Sequence, residues 1–467
     1  MTEGADIGVV GLGVMGANLA LNMAEKGFRV AVYDRDHQRA AELAGGEFAA
    51  QFDACRSEAE LLAAIRAPRA IVMMVPAGAA TDTATAALAS HAAPGDMLID
   101  AGNSDFHETR RRTTELEARG LAFLGVGVSG GAEGARRGPA MMVGGTPEAW
   151  DRVAPVFKAI AAHYHGEPCA DWLGPDGAGH FVKTVHNGIE YADMQMITEI
   201  YGLMRDGLGL NDDRVAETFR QWASGPLSSY LVEITAQVAA ARDRETGQPL
   251  LKVITDRAGQ KGTGRWSVIE AHQLGAVVST VEAAVGARNL SAATDLRGRV
   301  SAPEAPVTDV PALHLQDLHD ALHAGKIIAY AQGIDLMTRA SAEYSWGLDV
   351  GRVARLWRAG CIIRSAMLVD IAGVFDADPS SPLLSAPVFQ DRLSQILPAL
   401  RRVVAAAALD GLPVPALSNA LAYLDQLSRP RGTANMLQGL RDFFGLHGFE
   451  RTDRQGTGYH GPWADNR

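Results

Sequence analysis

One stretch of predicted helix carries several side chains that can bond a ligand or exchange protons with it. They are Lys183, His186, Asn187, Glu190 and Tyr191. From Lys183, steps of four, three and one residues lead to Asn187, Glu190 and Tyr191, so these four side chains share one face of a helix. His186 lies beside that face. Apolar residues on the other side can pack against a core. We expect the polar face to line a site, with Gly188 thinning the helix where a ligand approaches.

These residue types allow the oxidation of an alcohol followed by the loss of carbon dioxide. A secondary alcohol gives up a hydride when a base takes the hydroxyl proton, and a lysine whose pKa is lowered by burial can be that base. If the new ketone lies β to a carboxylate, the resulting ammonium can stabilise the enolate that forms on decarboxylation. We therefore predict Lys183 as the base, and Glu190, two turns along, as the acid that protonates the enol carbon. A solvated helix face without a ligand is the alternative.

A glycine-rich turn near the N-terminus predicts the cofactor of such an oxidation. It consists of Gly11, Leu12, Gly13, Val14, Met15 and Gly16. It follows an apolar strand pattern, and a predicted helix begins at Ala17, which is the context in which such a turn binds a pyrophosphate at a helix N-terminus. A turn that is glycine-rich for steric reasons alone is the alternative. We predict a dinucleotide-binding site.

The residues after the second predicted strand bear on which nicotinamide dinucleotide is used. Asp34 stands 23 residues after Gly11, where a carboxylate can accept hydrogen bonds from both ribose hydroxyls of NAD. A helix cap or turn residue is its alternative role. Arg35 could instead pair with the 2′-phosphate of NADP, but Asp36 adds a second carboxylate. We predict that NAD is preferred and leave NADP open.

Two kinds of pattern divide the chain. Up to about Gly145, short apolar runs alternate with helical segments, which is typical of a parallel α/β sheet with both faces covered. The runs are residues 7–10, 29–33, 70–75, 97–99 and 123–126. From Gly179 to about Leu427, long amphipathic segments predict helices only. They are residues 181–206, 266–290, 313–339 and 350–370.

These patterns predict the fold class: an N-terminal α/β domain with a Rossmann-type parallel sheet, followed by a large all-α domain and a C-terminal tail. We place the dinucleotide-binding domain at residues 1–178, the helical substrate and dimerisation domain at 179–428, and the tail at 429–467. The tail is rich in glycine, arginine and aromatic residues and lacks sustained periodicity. We therefore expect another surface to order it.

Composition narrows the classes of function. The 467 residues, 47% hydrophobic and 21% charged, contain no uncharged apolar stretch of the roughly 18 residues that cross a membrane. The net charge of −11 argues against nucleic-acid binding. The three cysteines, Cys55, Cys169 and Cys361, are too far apart to suggest a disulfide framework or a metal site, and the N-terminus lacks a secretory pattern. We expect a cytoplasmic protein without a membrane partner or a metal, and with buried cysteines.

The sequence resembles the 6-phosphogluconate dehydrogenase family at these motifs and through most of its length. The blocks that carry the resemblance stand in family order. They are residues 11–16, 102–104, 128–131, 171–172, 177–183, 186–191, 259–264, 287–288, 357–365, 433–435 and 441–445. The resemblance implies oxidative decarboxylation of 6-phosphogluconate to ribulose 5-phosphate, with Lys183 as the base and Glu190 as the acid.

The same resemblance implies which residues surround the substrate. These are Asn103, Ser129, Gly130, Gly131, His186, Asn187, Tyr191, Lys261, Thr263 and Arg288. Arg441 and His447 resemble the residues that the tail of this family contributes to the neighbouring subunit, which implies a homodimer and leaves a tetramer open. With Lys261 and Arg288, they would concentrate donors for a phosphate and a carboxylate in an acidic protein.

Two departures from the family pattern concern the cofactor. In family members that use NADP, the segment after the second strand resembles Asn-Arg-Ser or Asn-Arg-Thr, and the segment after the third predicted strand resembles Val-Lys-Ala. This chain has Asp34, Arg35 and Asp36 at the first place and Val75, Pro76 and Ala77 at the second. Because the first change adds negative charge and the second removes positive charge, both weaken the case for NADP. We count all six residues, together with Asn103, as cofactor-binding.

Two other functions stay open on the sequence. A shorter-chain β-hydroxyacid dehydrogenase resembles this chain in the glycine-rich turn, the Ser-Gly-Gly segment and the catalytic lysine. Such enzymes lack the loop at residues 261–263 and the tail with Arg441 and His447. The other alternative is a catalytically silent dinucleotide-binding or structural protein, against which the presence of both Lys183 and Glu190 argues.

Overall fold

The computed structural model describes residues 4–260, 262–300 and 310–466. Its first part is built on an eight-stranded sheet, accompanied by a two-stranded ribbon formed by His163–Tyr164 and Glu167–Pro168. In chain order the strands are β1 (Ile7–Val10), β2 (Val30–Tyr33), β3 (Phe52–Ala54), β4 (Ala70–Met73), β5 (Met97–Asp100), β6 (Ala122–Ser129), β7 (Ala140–Gly144), β8 (His163–Tyr164), β9 (Glu167–Pro168) and β10 (Ala170–Gly174).

The strands of the main sheet lie in the order β10-β7-β6-β5-β4-β1-β2-β3. Strands β1 to β6 run parallel, with Val9 of β1 beside Val32 of β2 and Val72 of β4. β7 lies antiparallel to β6, and β10 is parallel to β7. All residues of β1, β2, β4 and β5 are buried, as in sheets whose two faces are both covered. The predicted fold class is confirmed.

The sequence analysis predicted five of the eight sheet strands and missed β3, β7 and β10. β3 has three residues, of which one is a buried hydrophobic, so no alternation is visible. β7 contains a single β-branched residue, Val143, and β10 contains none. The reversed direction of β7 and β10 was not expected either, because direction depends on how the chain returns to the sheet.

Nineteen α-helices lie in the described residues. They are α1 (Val14–Glu25), α2 (His37–Ala44), α3 (Glu58–Ala64), α4 (Ala79–Ala89), α5 (Phe106–Glu117), α6 (Gly131–Arg137), α7 (Pro147–Ile160), α8 (Ala178–Gly202), α9 (Asp212–Trp222), α10 (Tyr230–Ala240), α11 (Leu250–Val253), α12 (Thr263–Gln273), α13 (Ser279–Ala292), α14 (Leu315–Glu343), α15 (Val350–Leu356), α16 (Met367–Ala377), α17 (Pro387–Leu409), α18 (Pro415–Leu427) and α19 (Ala434–Gly445). Within the described part of the chain, no helix is long and apolar enough to span a membrane.

The half of the chain that follows β10 is helical, as predicted, but two predicted segments are broken. The segment 266–290 contains parts of α12 and α13, and the segment 350–370 contains α15 and the start of α16. Each break holds a glycine with positive φ, Gly275 at 64° and Gly360 at 69°. This conformation ends a helix, and glycine adopts it without steric cost.

α8 packs against β6 and β7 on one side and against α12, α13 and α14 on the others. Of its 25 residues, 19 are buried. The helix is therefore buried nearly all round, and the predicted polar face is enclosed rather than solvated. Farther along α8, Asp193 Oδ2 lies 2.6 Å from Lys326 Nζ of α14, a buried ion pair that joins the two helices.

By its contacts the chain divides into a first unit that ends at Asn419 and a second unit, Ala420–Arg467. The predicted domain boundaries stay predictions. The second unit contains α19, a helix inside the segment in which the sequence analysis found no sustained periodicity.

Asp442 of α19 organises the second unit. Its buried carboxylate accepts hydrogen bonds from the backbone N–H groups of Gly448 and Gly461 and from the Trp463 indole, each at 2.9 Å. His460 Nδ1 lies 2.7 Å from the same carboxylate. A single buried anion thus fixes the chain that follows α19.

Candidate active site

Close backbone contact between α8 and β6 sets the position of Lys183. A Cβ atom at Gly127 of β6 would overlap the Lys183 Cβ, and one at Gly179 of α8 would lie 2.5 Å from the Gly125 carbonyl oxygen. Because the glycines have no side chain, the helix can lie this close to the strand. Lys183 is 7% exposed as a result.

His186 connects the acid–base candidates of α8 to the end of β6. Its Nε2 atom lies 3.1 Å from Ser129 Oγ, and its Nδ1 atom lies 3.0 Å from Asn187 Oδ1 and 3.5 Å from Lys183 Nζ. Burial, and after it the positive charge of Lys183, holds the pKa of His186 well below its usual range. The imidazole is therefore neutral, and the Asn187 oxygen places its proton on Nδ1. Nε2 is then left to accept the Ser129 hydroxyl proton.

Burial shifts the pKa values of Lys183 and Glu190 toward each other. It lowers the pKa of the Lys183 ammonium, and the charge of Glu190 opposes that shift. It raises the pKa of the Glu190 carboxyl against the positive charges of Lys183 and Arg288. Both shifts favour the neutral forms. In these forms the lysine can accept a proton and the glutamic acid can donate one.

A second group of predicted residues surrounds Tyr191. The Arg288 guanidinium carbon lies 3.5 Å from the centroid of the Tyr191 ring, a cation–π contact that holds the arginine in place. A Cβ atom at Gly264, in the first turn of α12, would lie 2.5 Å from the same ring. Thr263, the first residue of α12, is buried next to this glycine. The start of α12 is therefore fitted closely to α8.

Gly188 does not open α8 to a ligand, contrary to our expectation. A Cβ atom at this position would lie 2.8 Å from Ser267 Oγ of α12. The Ser267 hydroxyl donates a hydrogen bond to the Thr184 carbonyl at 2.8 Å, so two helices are in contact here. The missing side chain serves helix packing.

The turn after β6 exposes backbone at one of its two glycines. Gly130 and Gly131 have φ values of 109° and 63°, which favour glycine. A Cβ atom at Gly130 would lie 2.6 Å from the Gly360 carbonyl oxygen, whereas nothing lies within 4 Å of one at Gly131. Gly131 is thus the member of the pair that leaves room for a ligand.

A cavity of about 1410 Å³ lies at the carboxyl ends of β1, β2, β4 and β5, where parallel α/β sheets bind ligands. The predicted cofactor residues that line it are Gly11, Gly13, Val14, Met15, Gly16, Asp34, Arg35, Val75, Pro76, Ala77 and Asn103. Val128, Thr263 and Trp266 line the same cavity. It therefore adjoins both the glycine-rich turn and residues that neighbour the Lys183 group.

The glycine-rich turn has the shape that a pyrophosphate requires. Gly11 has a φ of 87°, and a Cβ atom at Gly16 would overlap the Gly11 carbonyl oxygen. Nothing lies within 4 Å of a Cβ atom at Gly13, so the turn is open on that side. α1 begins at Val14, three residues earlier than predicted, with its first N–H groups available to an anion. These residues fit the predicted dinucleotide.

The Asp34 carboxylate is held by backbone groups. It accepts hydrogen bonds from the Leu12 N–H at 2.6 Å and the Asp36 N–H at 2.9 Å, so Leu12 contributes its backbone while its side chain is buried. Asp36 caps α2 by accepting from the Gln38 N–H at 3.3 Å. Arg39, which the sequence analysis missed, lies 3.8 Å from Asp34 Oδ2 and 3.4 Å from Asp36 Oδ2 and lines the cavity. Both carboxylates therefore lie next to Arg39, while Arg35 lines the same cavity.

The remaining predicted substrate residues are Lys261, Arg441 and His447. Lys261 lies outside the described residues. Arg441 and His447 belong to the second unit, where both are exposed and Arg441 donates to Gln438 Oε1 at 3.1 Å. Across residues 4–260, 262–300 and 310–466, no three His, Cys, Asp or Glu side chains are grouped so that they could hold a metal ion.

Two residues of the segment 357–365 lie beside the site, although the sequence analysis gave this segment no role in the site beyond the resemblance. The Trp357 ring lies 5.7 Å from the His186 ring. Cys361 donates through Sγ to the Trp357 carbonyl at 3.0 Å. Burial raises the pKa of this thiol to about 12, so Cys361 stays protonated near Lys183. The three cysteines are buried, as predicted, with free thiols.

Two family models together match almost the whole chain. One, the NAD binding domain of 6-phosphogluconate dehydrogenase, matches residues 6–174. The other, the 6-phosphogluconate dehydrogenase C-terminal domain, matches residues 179–463. The match thus covers the sheet, the helical part and most of the second unit.

Relatives of the same name are similar over their full length. The NADP(+)-dependent, decarboxylating 6-phosphogluconate dehydrogenase of Bacillus subtilis is 44% identical over 98% of this chain and 98% of its own. The decarboxylating 6-phosphogluconate dehydrogenase of Haemophilus ducreyi is 44% identical over 99% of this chain and 97% of its own. A solved structure of Plasmodium falciparum 6-phosphogluconate dehydrogenase, described as apo, with NADP+ and with 6-phosphogluconate, has a TM-score of 0.92 at 37% identity, covering 98% of this chain and 100% of that one.

The contact between Gly127 and Lys183 leads to a prediction. We expect Gly127→Ala to lower kcat at least tenfold, because the added methyl group overlaps the Lys183 Cβ and must displace its amine. Steady-state cofactor reduction measures the effect, and thermal unfolding shows whether the variant is folded. A folded Gly127→Ala protein with the kcat of the wild type would contradict this account of the site.

Gly202→Ala is the matched control. Gly202 ends α8, and nothing lies within 4 Å of a Cβ atom there. We expect kcat to be unchanged and the free energy of unfolding to rise by at most about 1 kcal/mol.

Proposed function

The chain belongs to the 6-phosphogluconate dehydrogenase family, and we propose that it catalyses the NAD(P)-dependent oxidation and decarboxylation of 6-phosphogluconate to ribulose 5-phosphate and carbon dioxide. The observation that carries the proposal is the pair of a buried Lys183 and a half-buried Glu190 on one helix next to a dinucleotide cavity. Each has its pKa shifted toward the form that the reaction needs.

Lys183 acts as the base in the first half of the reaction. Its neutral Nζ accepts the proton of the C3 hydroxyl group, which is the hydroxyl β to the carboxylate of the substrate. The nicotinamide dinucleotide, when bound, accepts the hydride that leaves C3. Ser129, Asn187 and the neutral His186 form a fixed hydrogen-bonding wall beside Lys183, which orients the sugar-acid hydroxyls.

Lys183 and Glu190 share the second half. The bond between C1 and C2 breaks, C1 leaves as carbon dioxide, and the Lys183 ammonium stabilises the enolate and protonates its oxygen. Glu190 then gives its proton to C2, and the enol hydroxyl returns its proton to Lys183. At the end of the reaction, Lys183 is an ammonium and Glu190 is a carboxylate. Before the next cycle, a proton must pass from the Lys183 ammonium to the Glu190 carboxylate.

Basic residues bind the phosphate and the carboxylate in this proposal. Arg288 is held on the Tyr191 ring, and its positive charge opposes the rise in the pKa of Glu190. Thr263 at the start of α12 and the open backbone at Gly131 can add hydrogen bonds. Lys261 supplies a second cation by resemblance to the family.

We propose that the cofactor is preferentially NAD. The support is the Asp34 carboxylate, fixed by two backbone N–H groups in the cavity wall, with Asp36 two residues on. Arg35 and Arg39 line the same cavity and oppose this preference, since either could meet a 2′-phosphate. The Bacillus subtilis relative is named for NADP(+), so this proposal separates the chain from that relative.

We propose a homodimer in which the tail of one subunit completes the site of the other. α19 presents apolar side chains that are exposed in the single chain. They are Met436, Leu437, Leu440 and Phe444, followed by Leu446, with exposures between 42% and 68%. Apolar residues at positions i, i+1, i+4 and i+8 form one stripe on a helix and are typical of an interaction surface. Arg441 and His447 lie within this segment, which would carry them to the partner subunit.

The reaction itself is tested by product analysis and by the pH dependence of kcat/KM. We expect carbon dioxide and ribulose 5-phosphate from 6-phosphogluconate and a bell-shaped profile. The rate falls in acid as Lys183 becomes an ammonium below its lowered pKa. It falls in alkali as the Glu190 carboxyl loses its proton above its raised pKa.

Two variants assign the limbs of the profile. Glu190→Gln should slow release of ribulose 5-phosphate and remove the alkaline fall that belongs to Glu190, whereas Lys183→Met should lower kcat about 1,000-fold or more with substrate binding retained. Turnover of unphosphorylated hydroxy acids in place of 6-phosphogluconate would favour the shorter-chain β-hydroxyacid dehydrogenases. Lys183→Met with a tenth of the wild-type kcat would reject Lys183 as the base.

The cofactor proposal predicts a preference for NAD of at least about tenfold in kcat/KM, equivalent to about 1.4 kcal/mol. The double substitution Asp34→Asn and Asp36→Ser should raise the efficiency with NADP and lower it with NAD, because it removes both carboxylates beside Arg35 and Arg39. Asp53→Asn on β3, whose partner is Arg29 at 3.0 Å, is the control and should leave the ratio unchanged. A wild-type enzyme that already works better with NADP overturns this proposal alone.

Tail exchange is tested by pairing two inactive subunits. Lys183→Met lacks the base, and Arg441→Ala lacks the tail arginine, so each homodimer should be inactive or nearly so. Purified mixed dimers should recover about half of the wild-type activity, because one site combines an intact Lys183 with the intact tail of its partner. If the tail completes the site of its own chain, the mixed dimers gain no activity.

A further inference from the structure

A buried carboxylate, Glu270 of α12, joins three elements near the cofactor cavity. Its Oε2 atom lies 3.0 Å from His107 Nε2 of α5, and its Oε1 atom accepts a hydrogen bond from the Tyr344 hydroxyl at 2.6 Å. Glu270 is 3% exposed. Both oxygens of an enclosed anion therefore have a partner, as burial of a carboxylate requires.

The His107 ring is part of the cavity wall. It lies on the first turn of α5, and its backbone N–H donates to Asp105 Oδ1 at 2.8 Å. Asn103 and Asp105, which precede it in the chain, line the cavity as well. Because the Glu270 carboxylate accepts a hydrogen bond at Nε2, it orients the His107 ring.

Helix α12, which carries Glu270, forms another part of the cavity wall and also packs against α8, the helix of Lys183 and Glu190. Thr263 and Trp266, at the start of α12, line the cavity. Gly264, between them, is fitted under the Tyr191 ring of α8. Glu270 lies about two turns from Thr263 on this helix, so a shift of Glu270 along the helix axis moves the residues that face cofactor and substrate together.

The third partner makes the contact rigid. The Tyr344 ring packs 5.4 Å from the Phe106 ring, and the Arg110 guanidinium carbon lies 4.7 Å above it. Phe106 and Arg110 both belong to α5. α5 is thus tied to α12 twice, through His107 directly and through the aromatic group around Tyr344.

We propose that Glu270 is a positioning residue for hydride transfer: through His107 it fixes the cofactor-bearing wall on α5 relative to the substrate-bearing start of α12. The inference rests on the proposed function, because it assigns the two walls to the two reactants. Hydride transfer needs the donor carbon and the acceptor ring at a short, defined separation, and a small misplacement costs rate without loss of binding.

Glu270→Ala is the main test, with Glu270→Gln as its conservative partner. For Glu270→Ala we expect kcat to fall at least about tenfold while the KM values for 6-phosphogluconate and cofactor change less than about threefold. The primary deuterium isotope effect on kcat, measured with substrate deuterated at C3, should rise, because hydride transfer becomes more rate-limiting. Glu270→Gln should recover most of the rate, since the amide oxygen can still accept a hydrogen bond.

A role in stability alone gives a different result. A smaller fraction of folded enzyme lowers the apparent kcat but leaves the isotope effect unchanged. Glu282→Gln is the matched control, because Glu282 of α13 lies 3.6 Å from His272 of α12 in a His–Glu pair that is far more exposed than the Glu270 carboxylate. It should change kcat less than about twofold.

His107→Ala keeps the proposal testable if Glu270→Ala does not fold, since the His107 side chain is 47% exposed. It should also lower kcat and raise the isotope effect. In the double variant the loss should not exceed that of the larger single loss, as expected when two residues act through one contact.

The proposal is overturned by a Glu270→Ala protein with wild-type kcat, by an unchanged isotope effect, or by losses that multiply in the double variant. A wild-type protein that does not turn over 6-phosphogluconate rejects the proposed function instead. The two failures are therefore distinguished by the wild-type assay.

Discussion

The structure depends on one steric constraint: α8 lies against β6 and β7 at a distance that only glycine allows. A Cβ atom at Gly127 of the strand or at Gly179 of the helix would meet backbone or Cβ atoms across the contact, and one at Gly125 would lie 2.9 Å from the His180 ring of α8. A Cβ atom at Gly144 of β7 would lie 2.5 Å from the Gly179 nitrogen. With no side chains between them, helix and sheet enclose the first turns of α8, and Lys183 is enclosed with them.

The same enclosure produces the acid–base chemistry. Within the described residues no carboxylate forms an ion pair with Lys183, so burial acts on its charge and lowers its pKa. Ten residues farther along the helix, Asp193 is equally buried but has Lys326 at 2.6 Å. A direct partner makes a buried charge structural, whereas the absence of one leaves a group that can exchange protons.

Backbone groups also fix the residues that line the proposed cofactor site. The Asp34 carboxylate bonds the Leu12 N–H, so the residue that bears on cofactor choice also braces the glycine-rich turn. The cavity is lined by the sheet on one side and by the start of α12 on the other. Hydride transfer across such a cavity requires the two walls to keep a fixed position relative to each other. In our proposal, contacts such as that between His107 and Glu270 hold them there.

The sequence by itself determined the fold class, the glycine-rich turn and the helix of Lys183 and Glu190, because period and spacing are local properties of the chain. It did not determine that Gly188 packs on Ser267, that Asp36 caps α2, or that His107 meets Glu270, 163 residues away. Each depends on which elements the fold brings together. The enclosure of α8 was likewise decided by tertiary packing, since a polar helix face has the same pattern whether water or another helix covers it.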